Sequence, residues 1–261
     1  MNRGGTSPCR LTSALQAVDQ LLERRGRRVA DHRDPVLLAA LAEGGGGAHV
    51  GLDLVAVSAF VEGLDRGVAI GAHPSLPDLM GFGRRVMRIS PQEMYDLVIY
   101  QAGAVEAFAR AAGAKLHHVK CHGALYNMAA NDEGLSEAMI RAVKDLGSNV
   151  MLYALSESRN FQLAKKAKVP VAGEVFADRG YSDDGTLAPR DKPGGMIEDP
   201  QASVKQVLGM IEEGYVTSLA GKRVPVAADT LCIHGDQPGA VVFAQTLRKV
   251  FSEKGIAVAA P

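Results

Sequence analysis

From residue 68 onward one pattern recurs along the chain: a short apolar run ends in polar, reactive side chains, and a helix-length segment follows. Residues 68–71 run into Ala72-His73-Pro74, and residues 116–119 into Lys120-Cys121-His122-Gly123. Residues 150–154 lead to Ser156, residues 171–176 to Ala177-Asp178-Arg179, and residues 230–233 to His234-Gly235-Asp236. Apolar runs of this length, bounded by Gly, Pro or a charge, are what parallel strands buried on both faces look like. The helices between them carry their own punctuation. Ser90-Pro91-Gln92-Glu93 is a capping box with Pro at the first helical position, and it predicts a helix to about residue 112, before Gly113. Asp199-Pro200 opens another that closes before Gly214, and residues 131–146 predict a third with Gly147 as its stop.

Strands alternating with helices at this rhythm imply an α/β fold on a parallel sheet, wound into a barrel or left open. The polar residues favour a β/α barrel. Separate strands deliver His, Lys, Glu or Asp at their carboxyl ends, where barrel enzymes assemble their sites. An open doubly wound sheet would gather them at one switch point, usually after a Gly-rich first turn. Here the glycine run 44–47 continues Ala48-His49-Val50-Gly51, which breaks the G-x-G-x-x-G spacing. G-x-x-x-x-G-K-[ST] is also missing, so any ATP is not held by a P-loop.

Composition narrows the function classes. Lys+Arg and Asp+Glu each number 29 in 261 residues, so the net charge is +0 and no basic footprint for nucleic acid exists. No stretch approaches the roughly 18–20 apolar residues that span a bilayer, so no membrane partner is expected. The three cysteines, Cys9, Cys121 and Cys232, form no CxxC pair, which fits a reducing, cytoplasmic setting. Residues 1–33 stand apart from a main domain of residues 34–261, carrying seven Arg against three acids. An organellar presequence is one reading of that segment. A basic amphipathic helix is the plainer one, since Leu11, Leu15, Val18 and Leu22 recur at helical spacing.

His49, His73, His118, His122 and His234 lie in or just after candidate strands or Gly-rich turns. A single strand-end His is more often a hydrogen-bonded packing residue than a catalyst. Convergence alters the balance, because His73, Lys120, His122, Glu174, Asp178, His234 and Asp236 would all face one end of a barrel, where burying them without function is costly. Glu174 and Asp178 suit proton transfer to or from water, given surroundings that raise a carboxyl pKa. Lys120 suits a phosphate or a developing oxyanion, with a strand-end ion pair as the plain alternative. Asp236 either orients His234 or caps the following helix. Cys121 reads as a small buried hydrophobe rather than a nucleophile. The histidines and carboxylates permit a divalent metal without fixing its ligands, since H-x-x-x-H and H-E-x-x-H spacings are missing.

At particular strings the sequence resembles the LamB/YcsF family. These are Gly67-Val-Ala-Ile-Gly-Ala-His-Pro74, Phe82-Gly-Arg84, His118-Val-Lys-Cys-His-Gly-Ala-Leu-Tyr126, Glu174-Val-Phe-Ala-Asp-Arg-Gly-Tyr181, Asp184-Gly-Thr-Leu-Ala-Pro-Arg190 and His234-Gly-Asp236, in the family's order. The resemblance implies an irregular, seven-stranded β/α barrel related to glycoside hydrolases and polysaccharide deacetylases. It implies a subunit of an enzyme that opens the lactam 5-oxoproline to glutamate with ATP as co-substrate, alongside two partner subunits of B and C type. It implies substrate-binding roles for Arg84, Tyr126, Arg179, Tyr181 and Arg190 within these strings, and for His49 ahead of them. The alternatives are a metal-dependent deacetylase-like amide hydrolase and an inactive interaction subunit.

The amino-terminal quarter departs from the family's pattern. A first strand reading close to D-L-N-x-D-x-G-E has no counterpart before Asp34. Where the family resembles G-F-H-A-G-D, this chain has Gly47-Ala-His-Val-Gly-Leu52, so the acid is replaced by Leu52. Cys121 stands where Pro is usual, and the first lysine of the chain is Lys115. The break fits either a divergent segment or a damaged reading frame, and in both cases the expectation is weaker activity than a typical member's.

Overall fold

The computed structural model describes residues 68–234 and 239–261. The basic amino-terminal helix, the glycine run, His49, Leu52, Gly235 and Asp236 lie outside the described residues. In chain order the elements are β1 (Ile70–Ala72), α1 (Pro91–Ala111), β2 (Leu116–Val119), α2 (Gly123–Asn131), α3 (Glu133–Leu146), β3 (Met151–Leu155), α4 (Arg159–Lys166), β4 (Val171–Phe176), α5 (Pro200–Leu208), β5 (Tyr215–Thr217), β6 (Arg223–Pro225), β7 (Thr230–Cys232) and α6 (Ala240–Lys254). Five strands form a parallel sheet in the order β1-β2-β3-β4-β7, while β5 and β6 make a separate antiparallel pair. This is an α/β fold on a curled parallel sheet. Among the described residues no helix is long and apolar enough to cross a membrane.

Helices α1, α3, α4 and α5 each start where a side chain captures amide protons that the first turn leaves unpaired. At α1 the Ser90 amide donates to Glu93 Oε2 at 2.6 Å and the Glu93 amide donates to Ser90 Oγ at 3.2 Å, the reciprocal box expected from the sequence. Met94, Val98, Ala102 and Ala109 then turn one face of α1 to the core, against α3. Asp132 ends α2 and caps α3, accepting from the Leu135 amide at 2.8 Å, so the helix expected over residues 131–146 is the second of a pair that meet at this aspartate. Ser158 and Asp199 cap α4 and α5 in the same way. The helix opened by Pro200 runs on as a π-type turn over Gly209–Glu213 and stops at Gly214, whose φ is +70°.

Side chains alternate across a strand, so residues two apart share a face. The register pairs Gly71 with His118, His118 with Met151, Leu155 with Glu174 and Phe176 with Cys232. One face of the sheet thereby carries Gly71 and His73, then His118, Lys120 and His122, then Tyr153, then Glu174, Phe176 and Asp178, then Cys232 and His234. That this face is concave follows from one contact. Lys120 Nζ lies 3.0 Å from Cys232 Sγ, although β2 and β7 are three strand steps apart in the sheet. In a flat sheet those steps would span roughly 14 Å, further than a lysine reaches, so the sheet must curl around the side chains.

Deeper in the concavity, His118 stacks on Tyr153 with ring centroids 4.0 Å apart and planes 11° from parallel. Gly71 is the wall opposite, because a Cβ there would stand 2.0 Å from His118 Nε2. Burial, with the nearby charges of His117 and Lys120, holds His118 well below the ordinary histidine pKa, so it is a neutral packing ring. Gly71→Ala is therefore expected to destabilise the fold by about 1–3 kcal/mol, read as a lowered Tm, with His118→Ala in the same chain relieving part of the loss. An unchanged Tm in Gly71→Ala would show that the ring is not held against this strand.

Candidate active site

The carboxyl ends of the five parallel strands bring two buried groups of ionisable side chains onto one rim, with Lys120 and Glu174 between them. Lys120 follows β2, and its amide donates to the Ala72 carbonyl at 2.9 Å, which extends the ladder to the rim. Its ammonium meets Glu174 Oε1 at 2.8 Å, with the lysine side chain 17% and the glutamate 2% exposed. Burial alone would push Lys120 towards the neutral amine; the Cys232 sulfur and the Glu174 carboxylate outweigh it and hold the pKa above the ordinary lysine value. The rings of Phe176 and Tyr126 sit beneath the same charge, with centroids 5.1 Å and 5.9 Å from Nζ. The strand-end ion pair expected as the plain reading of Lys120 is thus present, and it lies inside the concavity.

Glu174 spends one oxygen on Lys120. Its Oε2 is buried and has no hydrogen-bond partner among the described residues, as is true of the hydroxyls of Tyr126, Tyr153 and Thr230. Tyr126, at the start of α2, faces that carboxylate, and burial with the carboxylate's charge pushes its phenol well above the ordinary value. Orphaned buried polar atoms are rare, and a group of them on one concave face is what a polar ligand or ordered water would satisfy.

Beside this centre, Asp178 and His234 join the ends of β4 and β7. His234 Nδ1 lies 2.9 Å from both carboxylate oxygens, and the His234 amide donates to Oδ2 at 2.9 Å. A carboxylate facing Nδ1 makes it the protonated nitrogen and leaves the lone pair of the neutral ring on Nε2, the tautomer of a general base. Burial tends to raise the Asp178 pKa, but the hydrogen bond and charge of His234, its amide and the charge of Arg190 outweigh burial and leave it lowered. This differs from the raised carboxyl expected from sequence: Asp178 is held ionised. His234 is lowered as well, because burial outweighs the Asp178 carboxylate and the charges of Lys120 and Arg190 add to it. At neutral pH the pair is a carboxylate and a neutral imidazole.

The other group sits at β1 and β2. His73 Nε2 lies 3.1 Å from His122 Nδ1, and His122 Nε2 lies 2.8 Å from the Phe82 carbonyl oxygen. His122 is the residue before α2, and its amide donates to the Pro74 carbonyl at 2.8 Å. Gln101 on α1 clasps the turn after β1, accepting from the Ser75 amide at 3.0 Å and donating to the Ser75 carbonyl at 2.8 Å. The sequence offers no signal for Gln101, because it stands among the ordinary polar positions of a helix.

The remaining candidates divide. Arg190 is close enough to bias Asp178 and His234 electrostatically, and Arg84 lies over the Phe82 ring at 5.1 Å. Arg179 points into its own loop instead, donating from Nε to the Gly195 carbonyl at 3.1 Å and from a terminal nitrogen to the Ala188 carbonyl. Tyr181 is fully buried, and its hydroxyl accepts from the Phe176 amide at 2.8 Å. These two residues close residues 177–197 over the end of β4. Cys121 packs against Met139, sulfur to sulfur at 3.4 Å, and burial pushes its thiol up to about 12, which removes the nucleophilic thiolate. Cys232 and Tyr153 also line the face, and neither stands out in the sequence because both sit inside apolar runs. Among the described residues no three His, Cys, Asp or Glu side chains form a set that could hold a metal ion.

Comparison with known proteins bears on this geometry. Residues 35–261 match the model of the LamB/YcsF family. The A subunit of 5-oxoprolinase from Bordetella parapertussis is 54% identical over 197 residues, which cover 76% of this chain and 78% of that protein. The protein of the same name in Bacillus subtilis is 49% identical over 214 residues, covering 82% of this chain and 83% of its own length. The crystal structure of a lactam utilization protein from Thermus thermophilus superposes with a TM-score of 0.76 at 40% identity, over 89% of this chain and 94% of that one.

The Asp178–His234 geometry fixes the sign of a titration. The carboxylate is the contribution that holds the imidazole pKa up, so removing its charge must lower that pKa further. By NMR titration, His234 is expected below the ordinary value of 6.5 in the native chain and lower still in Asp178→Asn. A rise in the variant would mean that the two side chains are not in contact.

Proposed function

Because the chain belongs to the LamB/YcsF family, we propose that it acts as the A subunit of a 5-oxoprolinase, a hydrolase that opens the cyclic amide of 5-oxoproline to give glutamate. The observation that carries the reading is the site itself, a buried rim of Lys120, Glu174, Asp178 and His234 with unsatisfied polar atoms facing the concavity, in a chain 46–54% identical to proteins of that name. A five-membered lactam is a stable amide and resists attack by water. ATP, as co-substrate, supplies the activation of its carbonyl oxygen. The chain's own residues do the rest. Lys120 stabilises negative charge that develops on oxygen or phosphate. His234, set in its Nε2-basic form by Asp178, takes a proton from the attacking water. Glu174 Oε2 and the Tyr126 hydroxyl hold the amide end of the substrate, and Arg190 and Arg84 offer charge to its carboxylate.

Two further features belong to this reading. The partners would be the B and C type subunits of the same enzyme, which accords with the subunit designation of the relatives. The described sheet, in which β1 and β7 each pair on one side only, would be part of an irregular seven-stranded barrel within a single domain of residues 34–261.

Purified chain mixed with B and C type subunits should release glutamate from 5-oxoproline only when ATP is present. Lys120→Met should lower that rate by about 10² to 10³. Release at an equal rate without ATP would contradict the proposed reaction, as would no release from any combination, the outcome expected of an inert interaction subunit.

A further inference from the structure

The turn over residues 78–85 touches the site through a backbone atom. A short 3₁₀ turn, Leu79–Gly81, delivers Phe82 in the left-handed region, at φ +53° and ψ +37°. A large side chain rarely adopts that conformation, and it persists where its surroundings enforce it. The enforcing group is Asp78, 4% exposed. Its carboxylate accepts from the Gly81 amide at 3.0 Å, the Arg85 amide at 3.2 Å and Arg85 Nε at 2.8 Å, while its carbonyl accepts from the Gly83 amide at 3.0 Å. The turn is also docked on α2, because the Ala124 amide donates to the Gly83 carbonyl at 2.9 Å. At Gly83 a Cβ would stand 1.9 Å from Ser75 Oγ and 3.1 Å from His122 Cδ2, so the backbone fits against the histidine with no room for a side chain.

The result is a carbonyl oxygen 2.8 Å from His122 Nε2. A carbonyl can only accept, so Nε2 must carry the proton. The neutral His122 ring then has its lone pair on Nδ1, and the atom facing it, His73 Nε2 at 3.1 Å, must be the donor. The opposite arrangement would set a ring lone pair against a carbonyl lone pair in a buried place.

We propose that the Phe82 carbonyl is a positioning group for the reaction: by accepting from Nε2 it fixes the tautomer of His122, and through it makes His73 Nε2 the donor of the pair, so that both rings are held in one orientation. The assignment rests on the lactam-opening reading for its catalytic meaning, but the tautomers themselves do not depend on it.

The test reads both. Long-range ¹H–¹⁵N NMR of the histidine rings in the full chain, with His73→Gln and His122→Gln for assignment, should show both rings protonated at Nε2 near neutral pH. Phe82→Pro fixes φ near about −65° and so withdraws the carbonyl, whereas Phe82→Gly adopts a positive φ freely. The proline variant should lose the single His122 tautomer and lower kcat on the order of 10²-fold, with a smaller change in KM; the glycine variant should keep the tautomer. If the proline chain does not fold, Asp78→Asn loosens the same turn and should shift the tautomer in the same direction. His122 protonated at Nδ1 in the native chain would overturn the proposal, as would an unchanged tautomer in a folded Phe82→Pro chain. Failure of the lactam reading looks different: the tautomers stand as stated in a chain that releases no glutamate.

Discussion

The contact on which the site depends is the buried triangle of Lys120, Glu174 and Cys232. It joins β2, β4 and β7, which a flat sheet would keep apart, and so it records the curl that turns strand ends into a pocket. Burial works against the charge of a lysine held this deep, and the Cys232 sulfur and the Glu174 carboxylate beside it outweigh burial. The pair lies on the face where Tyr126, Tyr153 and Thr230 present hydroxyls with no partner among the described residues. Such a pair contributes little net stability by itself. Its value is positional.

The two histidine arrangements on either side draw on different parts of the fold. His234 is set by a side chain, Asp178, from the adjacent strand end, so its tautomer follows from the β4–β7 pairing. His122 is set by a backbone carbonyl that a separate turn, braced by Asp78, delivers from outside the sheet. The first arrangement presents a ring nitrogen beside an anion. The second links two rings so that one serves as the other's hydrogen-bond acceptor. A rim with an ionised carboxylate, a neutral base, an ammonium and a linked imidazole pair holds the groups that hydrolysis of an amide needs.

Much of this is legible in the sequence, for a physical reason. Parallel strands buried on both faces appear as unbroken apolar runs, and the residues that end them are by construction on the rim, so His73, Lys120, His122, Asp178 and His234 stand out. The capping box of α1 and the glycine stops are legible because helix ends use a few side chains with fixed spacing. What cannot be read is who meets whom across the curl. Tyr153 and Cys232 look like members of apolar runs, and only their place on the concave face makes them part of the site. Arg179 and Tyr181 look like ligand-binding groups, yet their hydrogen bonds go to the backbone of the 177–197 loop and of β4. The β5–β6 pair is invisible because strands of three residues are too short to show a period.

The central claim, that Lys120 and Glu174 meet as a buried pair across the curl of the sheet and depend on one another there, is tested most directly by a double-mutant cycle on chain stability with Lys120→Met and Glu174→Gln. Removing one partner of a buried pair strands the other charge and commonly costs about 3–5 kcal/mol, whereas replacing both is often close to neutral. Each single variant is therefore expected to unfold at markedly lower denaturant than the native chain, and the double variant to recover most of the loss. Losses that simply add would contradict the claim, since Lys120 and Glu174 would then not depend on one another.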